Sequence, residues 1–266
     1  MLTGLLTLGM CFTKELHRDV YPSIDPTSPA LSQAGKVVII TDASKGLGRR
    51  GFVTSFAKAG AKAIVLVARN SVQLQESAET LTKECPSTKF LLITCDINDE
   101  ASVKAVFRQV KETSGTADIL VNNAGTSDDV KSLWDANIDN FWHGVEVNIK
   151  GTLLMTREFL NLVGTTKEAT IVSLSSAMAF VPLHGQASYT LSKLAIAQLS
   201  AFIALENPNV RAVNVHPGTV MTDLLTPSLQ KFAKDSRMWE DELVRRQAEI
   251  VDGKKLVIHH TEELAY

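Results

Sequence analysis

The sequence predicts one α/β domain, doubly wound around a mainly parallel sheet. Continuous apolar runs at 37–40, 63–67, 119–121 and 170–174 carry almost no polar alternation, the pattern of strands covered on both faces. Segments with helical spacing separate these runs, and alternating strands and helices build a parallel sheet. The length of 266 residues suits a single domain of this kind. With 45% apolar and 21% charged residues, a substantial core is available and general disorder is excluded.

Composition narrows the function classes. A formal net charge of -2 gives no basic surface for nucleic acid. Cys11, Cys85 and Cys95 are an odd set without metal-ligand spacing, which argues against a disulfide framework and against a metal site. A reducing, cytoplasmic setting is therefore expected. Residues 1–35 read as an N-terminal arm and 36–266 as the domain proper. The apolar stretch 2–12 lacks a basic flank and is too short to span a bilayer, so it is read as part of that arm. A processed or membrane-associated leader is the alternative. Pro22, Pro26 and Pro29 interrupt regular structure and favour extended backbone.

The first strand, 37–40, runs into Thr41, Asp42, Ala43, Ser44, Lys45, Gly46, Leu47 and Gly48, followed by a helix over 49–59. A strand, a glycine-spaced turn and a helix together place backbone N–H groups and a helix N-terminus where a diphosphate binds. Asp42 works against this. A carboxylate about 5 Å from a phosphate charge costs about 3 kcal/mol at an effective dielectric of about 20, roughly a hundredfold in affinity. Asp tolerates left-handed turn geometry, and Lys45, Arg49 and Arg50 offset its charge.

The second strand, 63–67, ends near Arg69. A basic residue at this point accommodates the 2′-phosphate of NADP, whereas an acidic one binds the ribose of NAD. Arg69 with Lys45 therefore argues for NADP(H), the plainer reading being a solvated arginine at a strand end. A helix over 71–84, a strand over 90–95 and a helix over 102–113 follow. The stripe of Val103, Val106, Phe107 and Val110 on the last is core.

The strand 119–121 leads to Asn122, Asn123, Ala124 and Gly125, two amides able to tie strand ends beside two residues small enough to leave space. A long helix over 139–163 contains Asn148, which must be hydrogen-bonded if buried. The strand 170–174 then leads to Ser176, and a helix over 186–205 carries Tyr189 and Lys193 four residues apart, on one face. A phenol titrates near ~10 and exchanges protons poorly at neutral pH, and a neighbouring ammonium lowers that value. Tyr189 is thus a candidate general acid/base, with Ser176 placed to hold a carbonyl or alcohol oxygen against it. The strand 211–215 ends in His216, Pro217 and Gly218.

Tyr189 with Lys193, the Asn122 to Gly125 stretch, the glycine-spaced turn and the late Pro217-Gly218 together resemble the short-chain dehydrogenase/reductase family over about 36–222, and the proline-bearing lead-in resembles its fungal members. The resemblance implies a Rossmann-type fold and a catalytic set of Asn148, Ser176, Tyr189 and Lys193. In it Tyr189 exchanges the proton, Lys193 lowers its pKa and binds ribose, and Asn148 sustains a water-linked relay. A core asparagine without that role is the alternative. The resemblance implies cofactor contacts from Thr41, Ser44, Lys45, Gly46, Leu47, Gly48, Arg69, Asp96, Asn123, Tyr189, Lys193, Val220 and Thr222. Asp96 would meet the adenine, or else cap the helix starting near Asp99. Pro217, Gly218 and Val220 would flank the nicotinamide.

Two departures stand out against the family. Asp42 occupies the place of its first glycine, and the C-terminal part reads as shortened, with a late helix over 239–250 and a short strand over 255–258. A substrate loop is expected over about 219–250, where Leu224, Leu225, Leu229 and Phe232 suggest an apolar site. The expected function is NADP(H)-dependent interconversion of a ketone or aldehyde and an alcohol, on a small lipophilic or secondary-metabolite substrate. A homo-oligomer is the expected assembly, with no nucleic-acid partner and no firm membrane signal. The alternative is an inactive protein of the same fold that senses nucleotide or binds a partner.

Overall fold

Six parallel strands form one sheet in the order β3-β2-β1-β4-β5-β6. They are β1 Val37–Thr41, β2 Ala63–Ala68, β3 Lys89–Thr94, β4 Ile119–Asn122, β5 Ala169–Leu174 and β6 Val210–Val215. The helices are α1 Thr54–Lys58, α2 Ser71–Glu84, α3 Glu100–Ser114, α4 Ile138–Val145, α5 Thr152–Val163 and α6 Ala187–Glu206. The computed structural model describes residues 20–127, 131–181, 184–218, 220, 222 and 224.

Every ladder is parallel, where the sequence predicts a mainly parallel sheet. Two apolar clusters explain the missing alternation. Val37, Ile39, Val65 and Val67 join one cluster with Val106, Phe107, Met155 and Phe159. Val38, Ile40, Ile64 and Leu66 join the other with Val53, Leu74 and Leu81. Each residue of β1 and β2 is therefore buried whichever face it points to. The order reverses between β1 and β4, and in a doubly wound sheet that point is where ligands bind, beyond the carboxyl ends of the strands.

Three local expectations are refined. The helix expected over 139–163 is α4 and α5 joined by a π-helical turn, Glu146–Gly151. The first helix likewise begins with a π-helical turn, Gly48–Val53, before α1. A Cβ on Gly151 would lie 2.5 Å from Ile97 Cδ1, so any side chain there would have to displace Ile97 where this helix crosses the loop after β3. In the arm, Pro22 and Pro29 each open a short 3-10 turn, Pro22–Ile24 and Pro29–Leu31, and the flanking residues Tyr21, Asp25 and Ser28 stay extended. The arm is anchored on the domain through Gln33 N donating to Ala59 O at 2.8 Å. The expected late helix and final strand, and nearly all of the substrate loop, lie outside the described residues.

Candidate active site

The ends of β1 and β4 are bolted together by the residues the sequence marks out. Thr41 Oγ1 accepts hydrogen bonds from Asn123 N at 3.0 Å and Ala124 N at 2.9 Å. Asn123 Nδ2 in turn donates to Thr41 O at 2.9 Å. The turn between β1 and the first helix then passes through two left-handed residues, Asp42 at φ 50 and Gly46 at φ 54. Among the described residues Asp42 alone takes a positive φ without being glycine, a conformation Asp tolerates better than most.

Gly48 is where the turn admits no side chain. A Cβ there would collide with the Asp42 carbonyl and lie 2.7 Å from Asn123 Nδ2. Gly48→Ala is therefore expected to displace the turn and weaken dinucleotide binding at least about tenfold in a fluorescence titration, with a lowered melting temperature. Native-like affinity in that variant would remove the turn from the binding site. Thr222, from the loop after β6, stands over the same turn, its Cγ2 3.7 Å from a Cβ built on Gly46. Leu47 is part-buried beside Gly51. Ser44 is buried, and its carbonyl accepts Ser77 Oγ from α2 at 2.8 Å. Lys45 and Arg69 are both exposed, at the turn and just past β2.

Across the switch point, Lys193 is 4% exposed and its Nζ donates to Leu174 O at 2.6 Å. The same Nζ lies 5.5 Å from the centroid of the Tyr189 ring. Burial lowers the Lys193 ammonium to about 8. Burial also raises the Tyr189 phenol, offset in part by its hydrogen bond with Ser176. This corrects the expectation that the lysine leaves the phenol lowered. The ammonium stands over the ring face and is committed to a backbone carbonyl, so desolvation of the phenolate prevails.

Asn148, in the π-helical turn, is 0% exposed. Its Nδ2 donates to Thr126 O at 2.9 Å and its Oδ1 accepts Thr126 N at 2.8 Å. A Cβ on Gly125 would lie 3.0 Å from Asn148 Oδ1 and 3.4 Å from Lys193 Nζ. The asparagine and the lysine therefore flank one glycine of the Asn122 to Gly125 stretch.

Residues 36–232 match the family model described as short chain dehydrogenase. The chain belongs to the short-chain dehydrogenase family. It is 38% identical over 221 residues to the short chain dehydrogenase mpl6 of Monascus purpureus, covering 81% of this chain and 75% of that one. Against an NADPH-dependent pterin aldehyde reductase of Arabidopsis thaliana it is 34% identical over 194 residues, 73% of this chain and 78% of the relative. The solved L-sorbose reductase of Gluconobacter frateurii, complexed with NADPH and L-sorbose, superposes with a TM-score of 0.71 at 28% identity, covering 83% of this chain and 81% of that one.

In this short-chain dehydrogenase, the residues singled out by sequence fall into two groups at the carboxyl edge of the sheet. Asn148, Ser176, Tyr189 and Lys193 gather around the ends of β4 and β5, while Thr41, Gly46, Gly48, Asn123 and Thr222 gather around the end of β1. Val220 is part-buried in the loop after β6. Asp96 is exposed beyond β3, and its carboxylate accepts Asn98 N at 3.0 Å. It does not cap α3: Asp99 does, accepting from Ala101 N and Ser102 N.

Sequence reasoning missed three contributors. Ser175 Oγ donates to Lys193 O at 3.1 Å, fixing α6 to the end of β5. Ala177 N donates to His216 Nδ1 at 3.1 Å, so the loop after β6 holds the turn that follows Ser176. Gln186 lines a shallow open groove with Tyr189, Leu133, Asn137 and Phe141. Nothing in the residue pattern flags these three.

Proposed function

We propose that the chain is an NADP(H)-dependent oxidoreductase that interconverts a ketone or aldehyde and an alcohol on a small lipophilic, secondary-metabolite type of substrate. The observation that carries this reading is the convergence of Ser176, Tyr189 and Lys193 beside the glycine turn. The residues present fit a nicotinamide dinucleotide, because a glycine-spaced turn follows β1 at the point where the strand order reverses. Thr41, Ser44, Gly46, Leu47, Gly48 and Asn123 would hold its diphosphate side, Asp96 its adenine, and Lys193 its ribose. Val220 and Thr222 would border the nicotinamide, and Lys45 and Arg69 favour a 2′-phosphate. When bound, the nicotinamide supplies or accepts the hydride.

The chain's own groups do the rest. Ser176 Oγ holds the substrate oxygen, and the phenol of Tyr189 gives that oxygen its proton as the carbonyl becomes an alcohol. A phenol raised by burial is protonated at neutral pH, the form the reducing direction requires, and is the weaker acid for it. Cys85 and Cys95 are free and buried, in keeping with a reducing cytoplasm. The names of the Arabidopsis and Gluconobacter proteins support NADPH as the cofactor, and fungal kinship supports secondary metabolism.

The test is titration of the purified chain with NADPH and NADH, for the native sequence and for Asp42→Gly. Native NADPH binding in the micromolar range, tighter than NADH, is expected, and glycine should strengthen it by up to about a hundredfold if the carboxylate faces the diphosphate. Asp42 is also the observation that favours the second reading, an inactive protein of this fold. Binding that appears only with glycine restored would support that reading over the first.

A further inference from the structure

Ser176 stands on backbone that is pinned on both sides. Its neighbour Ser175 continues the ladder between β5 and β6, with its N–H donating to Val215 O at 3.0 Å. Ser176 itself is extended, at φ -157 and ψ 152, so the N–H of Ala177 points to the same side as that of Ser175. β6 ends at Val215, and the next acceptor is a side chain: Ala177 N donates to His216 Nδ1 at 3.1 Å. The imidazole thus adds one rung beyond the sheet, at the residue that follows Ser176. A ring nitrogen accepts only when it carries no proton, so Nδ1 is the bare nitrogen of a neutral ring. Pro217 restricts His216 to extended backbone, which limits where the ring points. Gly218, at φ 73, then turns the chain away.

We propose that His216 is a positioning residue for the reduction: its Nδ1 holds the turn after Ser176 and thereby aims Ser176 Oγ at the substrate oxygen. This rests on the reductase reading of the same site. Ser176 Oγ accepts Met178 N at 3.2 Å within that turn, Ala177–Ala179, and hydrogen-bonds with Tyr189. Releasing Ala177 N lets the turn and the hydroxyl shift together, away from the phenol. A misplacement of about 1 Å at a reacting group costs on the order of a hundredfold in rate.

The experiment measures kcat for NADPH-dependent reduction of 4-nitrobenzaldehyde by the native enzyme, His216→Phe and His216→Asn, alone and in a Ser176→Ala background, each checked for folding by thermal melting. Phenylalanine keeps the ring and removes the acceptor. Asparagine Oδ1, bonded to Cγ as Nδ1 is, restores one. His216→Phe is expected to lower kcat about ten- to a hundredfold, and His216→Asn to stay within about threefold of native. With Ser176→Ala in place, His216→Phe should cost less than about twofold more, because the histidine acts through the serine. Equal impairment of His216→Asn and His216→Phe, or losses that multiply across the two positions, overturns the proposal. Should the native chain reduce no aldehyde, the reductase reading fails by itself. Hydrogen exchange of the Ala177 amide then decides the His216 contact: faster exchange in His216→Phe than in the native chain and His216→Asn supports it, and equal exchange overturns it.

Discussion

Tyr189→Phe is expected to lower kcat for ketone reduction by about a thousandfold or more, within the range a positioned proton donor contributes, while NADPH affinity changes by less than about threefold. The substitution removes one oxygen and leaves the ring beneath Lys193 Nζ, so the 5.5 Å contact with the ring face survives. Ser176 Oγ still accepts Met178 N at 3.2 Å and keeps its turn. Loss of turnover in a chain that folds and binds cofactor therefore isolates the proton transfer. Single-turnover reduction followed at 340 nm separates that step from product release, and a native rate in the variant would refute the assignment. Because burial raises the phenol, native reduction should show no tyrosine titration below pH ~10. Alcohol oxidation, which needs the phenolate, should instead climb with pH over the same range.

What the sequence makes legible is what local pattern controls. β1 and β2 are written as unbroken aliphatic runs because both of their faces are buried, and their ends come within a residue of where the runs stop. Tyr189 and Lys193 are recoverable because a spacing of four defines one helix face. Even the tolerance of Asp42 for a left-handed turn follows from the chemistry of its side chain. The rest depends on contacts distant in sequence. Nothing near Asn148 announces a π-helical turn, whose Gly151 is pressed against Ile97 from the loop after β3. The bond of Lys193 to Leu174 O joins residues nineteen apart, and that of Gln186 to Ser127 joins residues fifty-nine apart. The direction of the Tyr189 shift is the instructive failure: the charge was visible in the sequence, but the desolvation opposing it depends on the burial of the finished fold.

Lys193→Met is expected to remove most activity and to change the way stability responds to pH. An ammonium over the Tyr189 ring favours a charged phenol oxygen, so a loss of about a hundredfold or more in kcat/KM is expected, within the range a positioned proton-transfer group contributes. The stability effect has a definite sign. The native ammonium titrates at about 8 against an ordinary 10.5, because it is desolvated. Below pH 8 both folded and unfolded chains are protonated, and the burial penalty of about 3 kcal/mol is present in full. Between 8 and 10.5 the unfolded chain holds a proton that the folded one gives up, so native stability gains as pH rises. Methionine abolishes this dependence but leaves Leu174 O without its donor, an opposing loss of about 1–3 kcal/mol that does not vary with pH. The variant's melting temperature relative to native should therefore be highest near pH 7. It should fall by about 4–8 °C by pH ~9.5, equivalent to about 2 kcal/mol. A difference that stays level across that range would mean that Lys193 carries its charge in the fold without cost, and that the pairing with Tyr189 is tighter than the geometry indicates.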